Sequence, residues 1–275
     1  MGFLFQRNRR ELLVGMILLG LLLGTMLFSS LLSSYDPLRG DLRNRLIPPL
    51  SPGHILGTDA LGRDMLVRLL YGARMSLLMS GSGVIIGMLV GVSLGLIAGF
   101  SGGWIDTLFM RLVDVQLAFP FLLLALVIVT IVPASELTIT LLLALAAWVL
   151  FARIIRASVR KEINREYVQA ALTLGASRLR IALRYVLPNL LPTIVVIATL
   201  QLAALILFEA TLSYLGVGIQ PPTPSLGSMM LEGPAHMRSA GWITAFAGMT
   251  VFLMTLSLNL ISEGLRDLLD PRLQR

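Results

Sequence analysis

The stretch EYVQAALTLGASRLRIALRYVLPN, residues 166–189, is polar and basic and lies between runs of almost unbroken hydrocarbon side chains. Asn164 is the expected N-cap of a helix in which Tyr167, Ala170, Ala171 and Leu174 fall at i, i+3, i+4 and i+7 and define one weakly apolar face. Gly175 is expected to end that helix, because glycine enters the left-handed cap conformation without penalty. Ser177 then caps a second short helix that runs toward Pro188. The pattern predicts a helix-turn-helix with small residues at its bend, shaped to fit a groove on another protein.

The flanking sequence sets the class. The 275 residues are 56% hydrophobic and 13% charged, against roughly 45–50% and 25% in an ordinary soluble domain, and that excess points to lipid. A membrane-spanning helix needs roughly 20 mostly apolar residues. Six uncharged stretches meet or approach that length: Leu12 to Tyr35, Met75 to Ile105, Val115 to Ser135, Leu137 to Ala152, Tyr185 to Phe208 and Ser239 to Ser262. The fourth is short, with Arg153 and Arg156 able to snorkel at its end. The first runs for 24 residues, longer than a signal-peptide core of about 7–15, and reads as a retained span. The expected fold is thus an all-α integral membrane protein with six transmembrane helices.

Charge orients it. With the N-terminus inside, the inner segments carry 15 of the 22 Lys and Arg residues and the outer loops carry 7. Positive loops favour the inner side, so both termini are expected inside. The net charge of +7 follows from this distribution between spans and does not call for a nucleic-acid partner. The chain has no cysteine, which removes disulfides and thiolate metal sites.

Residues 1–74 comprise the N-terminal tail, the first span and an outer loop; residues 75–262 form a five-helix core with an inner loop at about 161–187; residues 263–275 form an inner tail. Pro37, Pro48, Pro49 and Pro52 disfavour regular structure early in the outer loop. From Ala60, Leu61, Met65, Leu66, Leu69 and Leu70 recur at helical spacing, predicting an amphipathic helix on the outer interface, or a solvated loop helix, before the second span. Within that span Gly81, Gly83, Gly87, Gly91, Gly95 and Gly99 mark a ridge without side chains. Such a ridge serves packing inside this subunit or against a partner subunit. Glu209, just past the fifth apolar run, faces a pathway or partner, or acts as a structural hydrogen-bond acceptor. Residues 214–230, YLGVGIQPPTPSLGSMM, break the apolar pattern and predict irregular backbone outside or along a cavity.

At residues 169–188, QAALTLGASRLRIALRYVLP, the sequence resembles the EAA loop of bacterial binding-protein-dependent ABC importers. Ala170, Ala171, Gly175, Leu187 and Pro188 match that pattern in place, while Gln169 stands for the usual Glu and Tyr185 for the usual Ile. Four further stretches, 54–77, 102–126, 215–227 and 259–273, resemble the second permease subunit of dipeptide, oligopeptide and nickel importers, with Leu226 where Trp is common. The resemblance implies the type I importer permease fold in a bacterial inner membrane. It implies a sister permease, two ATP-binding subunits docked inside, and a periplasmic or lipid-anchored solute-binding protein outside. The residues it places in the ATPase-coupling loop are Glu166, Gln169, Ala170, Ala171, Gly175, Ala176, Leu187 and Pro188; Gly87, Gly91, Gly95 and Glu209 are the candidates for pathway or partner packing.

A transport subunit rather than an enzyme is expected on independent grounds. A phosphate-cradling Walker A loop needs a lysine after glycine, and the single lysine, Lys161, stands in VRKEIN. No cofactor is therefore expected on this chain, and ATP and Mg belong to the partner ATPases. An ion-coupled secondary transporter would carry charged relay groups in its spans, which are here almost free of charge. Intramembrane metal hydrolysis would need clustered ligands, and His54 and His236 stand apart in outer loops. Peptide is the expected solute, with a nickel complex or another small solute as the alternative.

Overall fold

The computed structural model describes residues 2–27 and 35–269. Among the described residues the chain forms eleven α-helices, in order α1 (Gly2–Leu27), α2 (Met65–Ser101), α3 (Gly103–Ala118), α4 (Phe121–Ile131), α5 (Glu136–Ile163), α6 (Glu166–Thr173), α7 (Arg178–Ile181), α8 (Leu187–Tyr214), α9 (Leu226–Glu232), α10 (Met237–Ala240) and α11 (Trp242–Leu269). Among the described residues four helical segments are long and apolar enough to cross a membrane, and five if the bent pair α3–α4 is one span. Residues 28–34 of the first predicted span, Leu12 to Tyr35, lie outside the described ones.

The Gly-rich helix organises the bundle. Along α2, a Cβ added at Gly87 would lie 2.6 Å from the Cβ of Ala147, and one added at Gly95 would lie 2.8 Å from the Ala152 carbonyl. At Gly91 it would meet the Trp148 carbonyl. The ridge therefore lets α2 and α5 touch backbone to backbone, the arrangement that drives helix association where lipid removes any hydrophobic gain. Residues of α5 in the same chain occupy the ridge from Gly83 to Gly99, while Gly81 stays open. Against this pair pack α8 and α4, burying Leu143, Phe151, Ile155, Val186 and Leu212. A second apolar cluster joins the start of α2 to α8, α9 and α11 through Met65, Ile206, Met229 and Met254. Gly15 of α1 and Gly264 of α11 make another close crossing: a Cβ at Gly264 would lie 2.5 Å from the Leu12 Cβ.

Three element boundaries differ from the sequence reading. The amphipathic segment is not a separate interfacial helix: α2 begins at Met65, capped by Asp64 accepting from the Val67 N–H at 3.1 Å, and runs unbroken into the span. Its 37 residues reach about 55 Å, well beyond a hydrocarbon core of roughly 30 Å, so its first turns project and bury Arg68. The predicted span 115–135 is not continuous, because α3 and α4 meet at 86°. Pro120 supplies no N–H and pushes Phe119 into extended geometry (φ −108°, ψ 138°). Asn164 closes α5 rather than opening α6, its side chain donating to the Arg160 carbonyl at 3.0 Å.

The loop of residues 35–64 holds only a 3₁₀ turn (Leu42–Asn44) and isolated bridges, as its prolines imply. It is fastened by charge. Asp59, fully buried, accepts from Arg63 Nε at 2.6 Å and from Arg68 Nη1, while Arg68 also forks onto both oxygens of Glu232 at 2.9 and 3.0 Å. His54 Nδ1 lies 2.8 Å from Asp64 Oδ2. Charge-assisted forks of this kind have fixed geometry, and they tie the loop, the start of α2 and α9 into one cap.

Candidate docking site and membrane pocket

At the opposite end of the bundle from that cap, α6 and α7 form the expected hairpin. Gly175 adopts φ +81°, and its N–H donates to the Leu172 carbonyl at 3.0 Å while the Ala176 N–H donates to the Ala171 carbonyl at 3.0 Å. That pair of bonds is the Schellman closure, which satisfies the last carbonyls of a helix and needs a left-handed residue between them. Ser177 Oγ then accepts from the Arg180 N–H at 3.4 Å to start α7.

The buried face of the hairpin differs from the one expected. Val168, Ala171 and Ile181 face the bundle, whereas Tyr167 is partly exposed and Leu174 is 87% exposed. Leu174, Leu179 and Leu183 thus stand out from a basic surface. Glu166, Gln169 and Ala170 are exposed, Ala171 is buried, Ala176 is half-buried beside the bend, and Leu187 and Pro188 begin α8. Missing N–H groups suit the first turn of a helix, which explains the position of Pro188. A π turn (Ala182–Val186) joins α7 to α8.

Gln169 is used locally. Its Nε2 donates to the Ile163 carbonyl at 2.9 Å, closing the end of α5; a carboxylate cannot make that bond. Tyr167 donates to Glu162 Oε1 at 2.5 Å and accepts from Asn189 Nδ2 at 2.8 Å, linking α5, α6 and α8. Burial, and next the bond to Glu162, raise the phenol above its ordinary pKa. One turn back along α5, Arg156 and Arg160 both donate to Asp106 of α3, with Arg156 Nη2 at 2.6 Å. The hairpin is consequently fixed to a rigid base formed by three helices.

Glu209 lies inside the contact between α2 and α8. Its carboxylate is fully buried and accepts from Ser76 Oγ at 2.5 Å and Ser213 Oγ at 2.8 Å, and Ser213 Oγ in turn accepts from the Ile219 N–H at 3.3 Å. These bonds join two helices and the irregular segment after α8.

A cavity of about 430 Å³ opens at the α3–α4 break, between α5 and α8. Phe119, Phe121 and Phe208 line it, with Gln116, Arg153 and Gln201 as its polar groups. The sequence reading did not single out the two glutamines; their signal was a lone amide within each apolar run, next to Pro120 in one case.

A bundle of long apolar helices with a broken one, carrying a rigid hairpin at one end, is the architecture of a membrane transport subunit. A chain in the structure of the MetNI methionine ABC transporter in inward-facing conformations has the same fold, with a TM-score of 0.60 at 18% identity, covering 75% of this chain and 98% of that one. The chain belongs to the family of binding-protein-dependent transport system inner membrane components, whose model matches residues 91–275. It is 41% identical to the di/tripeptide transport system permease protein of Pseudomonas aeruginosa, over 97% of this chain and 90% of that protein. Against the dipeptide transport system permease protein of Escherichia coli the identity is 41%, over 98% and 92%. Against the oligopeptide transport system permease protein of Bacillus subtilis it is 35%, over 98% and 88%. It is therefore a permease component and a multi-pass inner-membrane protein.

Proposed function

We propose that this chain is one of two permease subunits of a bacterial ATP-driven importer and carries peptides delivered by a binding protein on the outer side. The observation that carries the reading is the α6–α7 hairpin: a bend stapled at Gly175, exposed leucines on a basic surface, and a base locked to α3, α5 and α8. An element built this way transmits rigid-body motion, because its own hydrogen bonds fix it to the helices it would move. The peptide-permease relatives support the solute class. ATP and Mg are bound by two ATPase subunits docked on the hairpin, and a sister permease completes the pathway. Residues 161–187 form the coupling loop of a core spanning 75–262, with six spans and both termini inside.

The deciding experiment extracts the tagged chain gently from its native membrane and identifies what accompanies it. A second permease and P-loop ATPases are expected, with ATP hydrolysis stimulated by a peptide-loaded binding protein. A chain that purifies alone and moves solute on an ion gradient overturns the reading.

Orientation has its own test. Leu174 and Leu50 are each 87% exposed, at opposite ends of the bundle. In this cysteine-free chain, Leu174→Cys is expected to react with an impermeant maleimide only from the cytoplasmic side, and Leu50→Cys only from outside. The reverse labelling refutes the N-in arrangement.

A further inference from the structure

Within α5, three arginines follow one another at helical spacing, and their circumstances differ. Arg156 and Arg160 share the carboxylate of Asp106. Arg153, one turn away, has no carboxylate or hydrogen-bond partner among the described residues and lines the cavity at the α3–α4 break. An unpaired cation in a spanning helix is expensive unless it faces water or a ligand. Broken helices, in turn, are where transporters expose backbone and polar groups to their cargo.

The other polar groups of this cavity have capacity to spare. Gln116 Nε2 donates to the Leu145 carbonyl at 2.6 Å and its Oε1 accepts from Trp148 Nε1 at 2.8 Å, which fixes the amide and leaves one N–H and one lone pair. Gln201 Nε2 donates to the Ala147 carbonyl at 3.4 Å and keeps its Oε1 unused. Its walls are aromatic: Phe121 and Phe208 stand with ring centroids 5.2 Å apart. One unpaired cation, two amides and phenyl walls, with no acidic side chain in the lining, match an anionic carboxylate attached to amide groups and apolar side chains. They do not match a metal complex, which would seek imidazole or carboxylate.

We infer that this cavity is a peptide-contacting station on the transport route, in which Arg153 pairs with the free C-terminal carboxylate of the passing peptide and Gln116 and Gln201 bond its amides. The inference rests on the peptide-importer reading and adds a chemical preference to it: peptides with a blocked C-terminus lose the charge-assisted bond. Arginine suits the task because its planar fork meets a carboxylate with two bonds, whereas a lysine that merely reached the headgroups would serve snorkelling equally well.

The test uses the assembled importer in membrane vesicles, with Ala204→Cys on the wall of the same cavity as the only thiol of this chain. At a concentration about ten times its Kd for the cavity, alanyl-alanine is expected to slow maleimide modification of that thiol about tenfold. Alanyl-alanine amide is expected to leave it unchanged. Adding Arg153→Gln abolishes the protection, and Arg153→Lys keeps part of it, with co-purified sister permease confirming assembly in each case. Equal protection by the amide, protection that survives Arg153→Gln, or no protection at all in vesicles that take up alanyl-alanine overturns the cavity assignment and leaves the importer standing. Failure of the wild-type importer to take up any peptide removes the peptide reading itself.

Discussion

Replacing Gly175 with valine is expected to abolish solute uptake while the chain still inserts and still recovers its sister permease. The reason is confined to the backbone. Gly175 sits at φ +81° with both Schellman bonds formed across it, and a Cβ there would meet nothing within 4 Å. No clash with the bundle arises, so insertion and packing are spared. A β-branched residue in the left-handed region nevertheless costs at least about 1–2 kcal/mol. The bend escapes that strain by abandoning the left-handed geometry, which swings Ser177 and α7 away from their positions and misaims the docking surface. Gly175→Asn is the matched control, since asparagine tolerates the same region and should retain most of the activity. Uptake by the valine variant equal to wild type at equal expression would show that the hairpin has no coupling role.

Substitution of Gly91 by valine is expected to destabilise the folded protein rather than uncouple it. A Cβ at this position lies 2.6 Å from the Phe151 Cβ and 3.1 Å from the Ala152 N, in addition to the Trp148 carbonyl. The obstructing atoms are backbone and Cβ, which cannot move aside by rotating a side chain. Helices α2 and α5 must separate, and the close contacts at Gly87 and Gly95 on the same ridge are lost with them. Overpacking alone costs about 1–3 kcal/mol, and here the damage extends along the whole interface. Thermal unfolding in detergent is expected to occur several degrees lower, with a reduced yield of monodisperse protein. Gly81, on the same helix, has open space around its Cβ position. Gly81→Ala should therefore be neutral or slightly stabilising, since alanine is the better helix former by about 1 kcal/mol. Equal melting temperatures for Gly91→Val and wild type would contradict the ridge packing.

The hairpin separates what neighbouring residues decide from what the bundle decides. Gly175 and Ser177 were legible because a left-handed cap and an N-cap are local: each is decided by the residue and its neighbours within one turn. The buried face of α6 was legible only in part: Ala171 lies on it as expected, but Leu174 is as apolar as Val168, and only the position of the bundle beneath decides which is covered. Asn164, an N-cap by residue type, closes α5 for a similar reason. Its amide can serve either terminus, and α5 continues farther than its apolar run because Arg156 and Arg160 find Asp106 on another helix. The break at Pro120 was locally signalled, and the unbroken hydrocarbon on both sides masked it.

The sequence by itself determined an all-helical membrane protein, the approximate position of most spans, a loop rather than regular structure before α2, and a helical hairpin bent at Gly175. Those features depend on apolar run length, proline chemistry and glycine's conformational freedom, which act within a few residues. Tertiary structure alone decided that the glycine ridge of α2 is filled by α5, that Glu209 is a buried acceptor for Ser76 and Ser213, and that Arg68 and Asp59 lock the outer loop to Glu232. It also gathered Gln116, Arg153 and Gln201 around one cavity. Each of these joins residues from different helices, and whether a small, charged or amide side chain packs, pairs or waits for a ligand depends on what the other helix places opposite it.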